Sequence, residues 1–253
     1  MRLRRLLPLC LTLLVVTVAA PAAADLTDPP DRPPLSRSIV CPVLYAHEVV
    51  SQPILRRMVS GLLAAGYHPQ SLAAVDDAMS LVSEPPPGCL VLTFDDGLLS
   101  QYTNALPVLT ELGVPAVFFV LPGFADGVHR YMNNAQLRAL AQAGFEVENH
   151  TCNHPLLPQL ARRNLDAFFA EMQDCKRVIE DISGQTVDYV AYPSGAFDAT
   201  VLEAAARFGY RAGFTTRSSA VLNPATPYAL PRIRYDPSEL PATVVRRIRG
   251  LGG

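Results

Sequence analysis

The 253-residue chain carries 21 lysines and arginines against 23 aspartates and glutamates, a formal charge of −2, and 49% of its residues are hydrophobic. No basic run interrupts it, so the electrostatic footprint of a nucleic-acid-binding protein is missing. This length and apolar content exclude a disordered chain and fit a single α/β domain.

Met1-Arg2-Leu3-Arg4-Arg5 is a basic opening, followed by an apolar stretch over residues 6–18 and then Ala22-Ala23-Ala24. That order reads as a signal peptide over residues 1–24, removed on export. The apolar stretch is short for a bilayer span, so a membrane would be touched only through an uncleaved signal. Its removal discards three arginines and no acid, moving the charge from −2 to about −5. Residues 25–37, rich in Pro and Asp, read as an exposed leader, and residues 38–253 as one domain.

From residue 39 strands and helices alternate. Residues 39–45 read as a strand ending at His47. Ser51 then caps a helix with Pro53 in its first turn and Gly66 after its last. A second helix over residues 71–82 stops at Pro85-Pro86-Pro87-Gly88. The apolar run Leu90-Val91-Leu92-Thr93-Phe94 reads as a buried strand that ends in Asp95-Asp96-Gly97. Residues 99–112 are helical, with Pro107 predicting a kink or a later start. Residues 115–121 are apolar on both faces, as a parallel sheet requires. A helix over 134–143 and a strand over 145–149 deliver His150-Thr151-Cys152-Asn153-His154. One long helix (162–182), a strand (187–192), a helix (199–208), strands at 210–215 and 230–235 and a helix (239–249) complete the chain. The alternation predicts an α/β fold with a parallel sheet; periodicity alone leaves open sheet and closed barrel undecided.

Four cysteines lie beyond the signal: Cys41, Cys89, Cys152 and Cys175. Cys41 and Cys89 stand equally far before His47 and Asp95. If those two strands are parallel neighbours with level ends, their sulfurs meet, leaving Cys152 for Cys175. Four cysteines allow three connectivities, and free thiols remain open as well.

Two adjacent carboxylates repel unless a cation sits between them or one takes up a proton. Alone, Asp-Asp-Gly is an ordinary turn. With His150 and His154 it supplies one carboxylate and two imidazoles, a three-ligand metal site with positions left open. Residue 151 is Thr and Pro155 disfavours helical geometry at His154, so the helical H-E-x-x-H design is absent.

Thr93-Phe94-Asp95-Asp96-Gly97 and the H-[ST]-x-x-H spacing of His150 and His154 resemble the first two motifs of the polysaccharide deacetylases with a NodB homology domain (carbohydrate esterase family 4). The resemblance covers residues 39–235. It implies a single distorted (β/α) barrel of about seven strands and a divalent metal on Asp96, His150 and His154. Asp95 would be the general base, and an acetylated polysaccharide the substrate, hydrolysed to free amine and acetate. Zinc suits this ligand set, with Co2+, Ni2+ or Fe2+ as alternatives. His47, Tyr192, Pro193 and Gly195 are candidate substrate-binding residues, with a structural role open for His47. Tyr45, Phe124 and Tyr131 are candidates for sugar stacking or for the core. His68 and His129 read as loop residues, and oligomeric state is unread.

The departures are informative. The family's third motif, R-x-P-[YF]-G, is here Ala191-Tyr192-Pro193-Ser194-Gly195, without its arginine. The histidine acid of its last motif, L-x-H, is missing from Leu230-Pro231-Arg232, and the chain has no Trp. The combination of Ala191-Tyr192-Pro193-Ser194-Gly195, Tyr45-Ala46-His47 near the start and Leu230-Pro231-Arg232-Ile233 near the end resembles the deacetylases of exported poly-β-1,6-N-acetylglucosamine. Three functions follow: a deacetylase of an N-acetylglucosamine polymer, a deacetylase of another carbohydrate (peptidoglycan, chitin oligomer or acetylated xylan), or a metal-retaining carbohydrate-binding pseudoenzyme.

Overall fold

A computed structural model describes residues 32–252. The signal-peptide reading of residues 1–24, and the leader as far as residue 31, lie outside the described residues. Seven strands form the central sheet: β1 (Val43–Ala46), β2 (Cys89–Asp96), β3 (Val117–Val120), β4 (Glu146–Asn149), β5 (Tyr189–Ala191), β6 (Ala212–Phe214) and β7 (Ile233–Arg234). Their order is β7-β1-β2-β3-β4-β5-β6, and every pairing is parallel. At the seam between β6 and β7 the Leu230 N–H donates to Gly213 O (2.8 Å) and the Thr215 N–H to Leu230 O (2.9 Å). The result is a curled, distorted (β/α) barrel of seven strands.

Alternation along the strands builds two cores. On β2, Leu90, Leu92 and Phe94 join the apolar layer beneath the helices. Cys89 and Val91 face inward with Val43, Val117, Phe119 and Phe214. All of these side chains are buried.

The helices begin where the local chemistry asks them to. Ser51 and Pro53 open α1 (Gln52–Ala64). Ser71 Oγ accepts the Ala74 N–H (3.1 Å) at the start of α2 (Leu72–Met79). Asn133 and Gln136 form a reciprocal capping box on α4 (Asn134–Gln142). The chain is already helical at 99–100, so Pro107 brings no later start but follows an irregular turn inside the helix. A π-turn, Gln101–Ala105, runs into α3 (Leu106–Leu112), which carries Pro107 in its first turn.

The long helix expected over 162–182 is broken. α5 (Leu157–Arg163) stops at Asn164, whose backbone is extended (φ −154°, ψ 97°). Asn164 Oδ1 accepts the Ala167 N–H (3.0 Å) and so caps a new helix, α6 (Leu165–Phe169). That helix continues through a π-turn, Ala170–Asp174, into α7 (Cys175–Ser183). An Asn that can cap competes with helix continuation, which apolar periodicity does not register. α8 (Ala199–Arg207) and α9 (Pro241–Arg249) follow.

The strand read over 39–45 divides before β1: Ile39–Val40 pairs antiparallel with Val221–Leu222, a ribbon the sequence did not announce. His68 belongs to a two-residue strand beside Cys89 rather than to a loop. Val43 lies level with Val91, so Cys41 and Cys89 oppose each other and form a disulfide (Cα–Cα 4.9 Å). Cys152 and Cys175 form the second (Cα–Cα 5.5 Å), and the expected pairing holds. The leader is tied down in part: Arg32 pairs with Asp188 (2.6 Å), and the Ser36 and Arg37 N–H groups donate to Met79 O.

Candidate active site

Adjacent residues on a strand point to opposite faces, yet Asp95 and Asp96 both come up beside His150. Asp95 keeps the inward phase of β2. Asp96, at φ 77°, turns its side chain back over the strand end. Left-handed backbone at a non-glycine residue costs roughly 1–2 kcal/mol. Gly97 (φ 67°) then carries the chain away.

Asp95 is almost wholly buried and meets an equally buried Arg232 fork to fork, at 2.7 Å on each oxygen. Arg232 extends from the segment leading into β7. Its guanidinium sits between the rings of Tyr45 (4.6 Å) and Phe119 (5.4 Å). It donates further to Thr93 Oγ1 and Thr215 O, both at 3.2 Å. Burial alone would raise the Asp95 carboxyl's pKa. The charge of Arg232, helped by His150 and by the hydrogen bonds, overrides it and holds the group below the usual carboxylate range. The arginine missing from the third motif is therefore supplied from another strand. The signal was present in Leu230-Pro231-Arg232, where it read only as the loss of a histidine.

Beside Asp95, Asp96 Oδ1 is buried and makes no hydrogen bond. It lies 3.6 Å from His150 Nε2 and 3.8 Å from His154 Nε2. The three ligand atoms fall within 4.8 Å of one another. Ligands about 2.1 Å from a tetrahedral cation stand about 3.4 Å apart, so these separations fit a metal. His150 Nδ1 lies 2.6 Å from Ala191 O, a partner only an N–H can satisfy, which leaves the Nε2 lone pair facing Asp96. Burial lowers the His150 pKa and favours the neutral imidazole that ligation requires.

The loop that carries both histidines is irregular and heavily tethered. Thr151 (φ 71°) and His154 (φ 56°) are both left-handed. The Thr151 N–H donates to Asn149 Oδ1 (2.6 Å), and Thr151 Oγ1 accepts the His154 N–H (3.0 Å). Glu171, on the second π-turn, accepts from the backbones of Cys152 (2.7 Å) and Asn153 (3.1 Å) and from Asn153 Nδ2 (2.7 Å). Cys152, Glu171 and Cys175 also converge, but the two sulfurs are bonded to each other and form a staple.

A cavity of about 360 Å³ lies over the site, walled by Tyr45, His47, Asp95, His150, His154 and Arg232. A neighbouring cavity of about 400 Å³ shares His47 and reaches Asp96, Arg130 and Arg234. His47 is half-buried, and Gln101 Nε2 donates to its carbonyl (2.8 Å) and to that of Asp95 (2.5 Å). Tyr192 borders the first cavity, but its ring is fully buried and its hydroxyl donates to Tyr228 O (2.9 Å). It is a wall rather than a free stacking surface. Pro193 is buried, and Ser194 (φ 57°) and Gly195 (φ 66°) turn the chain at the cavity's edge. Phe124 and Tyr131 stack on each other, with ring centres 4.8 Å apart, and Tyr45 is spent on Arg232.

An ionised carboxylate beside three residues able to hold a metal, under an open cavity, is equipped for hydrolysis of a carbonyl compound. The polysaccharide deacetylase family model matches residues 83–213, the span that holds Asp95, Asp96, His150 and His154. The polysaccharide deacetylase-type protein YxkH of Bacillus subtilis (strain 168) is 30% identical over 205 residues, covering 78% of this chain and 71% of that protein. The poly-β-1,6-N-acetyl-D-glucosamine N-deacetylase of Escherichia coli (strain K12) is 36% identical over 72 residues, 28% of this chain and 11% of that protein. Among solved structures, the Streptococcus pyogenes deacetylase PplD in complex with acetate superposes with a TM-score of 0.76 at 27% identity, covering 84% of this chain and 99% of that one. With the first two motifs brought together at one end of the sheet and the likeness running along most of the barrel, the chain belongs to the polysaccharide deacetylase family.

Proposed function

We propose that the protein is a metal-dependent deacetylase of an N-acetylglucosamine polymer, acting outside the cytoplasm and releasing acetate and a free amine. The observation that carries this reading is the Asp95–Arg232 pair beside the Asp96, His150 and His154 cluster. A binding protein has no use for an ionised carboxylate held in place next to a metal position.

Asp96, His150 and His154 would hold the cation, zinc being best suited to one carboxylate and two imidazoles, with Co2+, Ni2+ or Fe2+ able to substitute. When bound, it supplies Lewis acidity, polarising the acetamide carbonyl and acidifying water. Asp95 takes the proton of the attacking water at a carboxylate oxygen. Each of its oxygens keeps a lone pair free beyond the bond from Arg232. Arg232 keeps Asp95 ionised and fixes the plane of its carboxylate. His47, shared by the two cavities, touches the sugar, while Tyr192, Pro193 and Gly195 shape the opposite wall. Arg232 stands where the family carries its acid histidine and, being permanently charged, cannot give a proton to the leaving nitrogen. Turnover is then slower by about 10²–10⁴-fold than in members that have the histidine.

Export rests on the signal-peptide reading of residues 1–24, and two disulfides suit an oxidising compartment. Residues 38–253 form the catalytic domain. The poly-β-1,6 linkage is favoured by the third-motif and last-strand departures. The test is acetate release from β-1,6 and β-1,4 N-acetylglucosamine oligomers and from muropeptides, with zinc restored after chelation, beside Asp95→Asn and His150→Ala. Zinc-restored release on the β-1,6 oligomer, lost in both variants, is the expected result. Preference for another oligomer would reassign the substrate. No release from any, with zinc bound, would leave a carbohydrate-binding pseudoenzyme.

A further inference from the structure

We infer that the Cys152–Cys175 disulfide positions the metal-ligand loop, so that opening it weakens the protein's hold on its cation. The inference rests on the reading of Asp96, His150 and His154 as ligands. Cys152 is the middle residue between His150 and His154, and no strand or helix supports it. The loop contains two left-handed non-glycine residues, Thr151 and His154, a conformation it would leave if released. Two anchors oppose that, and both come from one helical element. Glu171 accepts three N–H bonds from Cys152 and Asn153, and Cys175, four residues further on, bonds to Cys152.

The two histidines depend on these anchors unequally. The His150 side chain is 2% exposed and tied to Ala191 O, whereas that of His154 is 36% exposed. His154 is the more loosely held of the two, so freeing the loop at Cys152 displaces it first and leaves two ligands of three. The other disulfide, Cys41–Cys89, sits at the opposite end of β1 and β2 from the carboxylates and touches no ligand loop. The two also differ in access. Cys41 and Cys89 are both buried, while Cys152 is half-buried and can be attacked. A dithiol thiolate attacks the Cys152 sulfur and the S–S bond breaks. The reagent's second thiol then closes its own disulfide, and both protein sulfurs end as S–H.

The experiment measures the zinc dissociation constant by competition with a chromophoric chelator. It compares the oxidised chain, the folded chain reduced with dithiothreitol, Cys152→Ser/Cys175→Ser, Cys41→Ser/Cys89→Ser and His150→Ala. Alkylation and mass measurement report which bond has opened. Loss of supports around metal ligands weakens binding by about 10–100-fold. That loss is expected for selective reduction of Cys152–Cys175 and for the Cys152→Ser/Cys175→Ser protein, and not for Cys41→Ser/Cys89→Ser. Should the serine pair fail to fold, reduction of the already folded chain gives the same comparison. Equal affinities with the bond closed and open would overturn the inference. So would a second zinc equivalent taken up on reduction at unchanged first-site affinity, which would make Cys152, Glu171 and Cys175 a thiolate site. Zinc binding undiminished in His150→Ala would sink the ligand reading itself, a separate failure.

Discussion

Arg232 gives up all contact with water to hold one carboxylate between two aromatic rings. Removing one member of a buried ion pair strands the other, at about 3–5 kcal/mol, whereas replacing both by apolar or neutral groups is far cheaper. Arg232→Met should therefore lower stability by about 3–5 kcal/mol in urea unfolding. Arg232→Met with Asp95→Asn should recover most of that while remaining inactive. An Arg232→Met protein as stable as wild type would show that the pair is not the buried unit described. Asp95→Asn alone should keep its zinc affinity within a few-fold and lose about 10²–10⁴-fold in kcat for acetate release. Loss of zinc binding instead would mean that Asp95 is itself a ligand. The carboxylates and histidines were legible because each pair is local in sequence, and the chemistry of such spacings is general. Arg232 was not, because its partner lies 137 residues away and its position read only as a motif lacking its histidine. Tyr192 looked available for a sugar for the same reason: burial is a property of the fold, which no residue type announces.

Two π-turns support the site from outside the barrel. The first, Gln101–Ala105, aims Gln101 at the carbonyls of His47 and Asp95, joining the ends of β1 and β2. The second, Ala170–Asp174, aims Glu171 at the backbone of the histidine loop. An extra residue in a helical turn shifts the phase of everything after it, and such turns often mark functional positions. Apolar periodicity over 99–112 and 162–182 predicts helix in both places and is blind to one inserted residue. Gln101→Leu takes a side-chain donor from the buried Asp95 carbonyl and the part-buried His47 carbonyl, at about 1–3 kcal/mol for the buried one. Thermal unfolding should register that loss, and unchanged stability would show that water replaces the amide. On the other side of the loop, a methyl on Gly123 would sit 2.5 Å from Cys152 O and 2.6 Å from Asn153 Oδ1. Gly123→Ala is expected to cost about 1–3 kcal/mol in overpacking, with the backbone of the histidine loop taking the shift. A variant that unfolds with wild-type behaviour would mean that the loop gives way freely.

At the scale of the molecule, the barrel keeps stability and chemistry at opposite ends of the same strands. The ends of β2 and β4 carry the carboxylates and histidines, and the start of β2 is bonded through Cys41–Cys89 to the chain two residues before β1. Cys41→Ser/Cys89→Ser should cost about 2–4 kcal/mol, the usual worth of such a cross-link, and leave kcat within a few-fold. A large fall in kcat at full folding would mean that the two ends are coupled. Alternation of strand and helix made the parallel architecture readable, while the level ends of β1 and β2, and with them the cysteine pairing, entered only as a condition. Closure was not readable, because the β6–β7 seam rests on single bridges at Leu230 rather than on a patterned strand. That seam also divides the site along the chain. Asp96, His150 and His154 all precede it, while Arg232 lies beyond it on the segment entering β7. A barrel left open at the seam would keep the first three residues together yet deprive Asp95 of its counter-charge, and burial then favours the protonated form, which cannot accept a proton from water. Closing the barrel and arming the proposed base are thus one event.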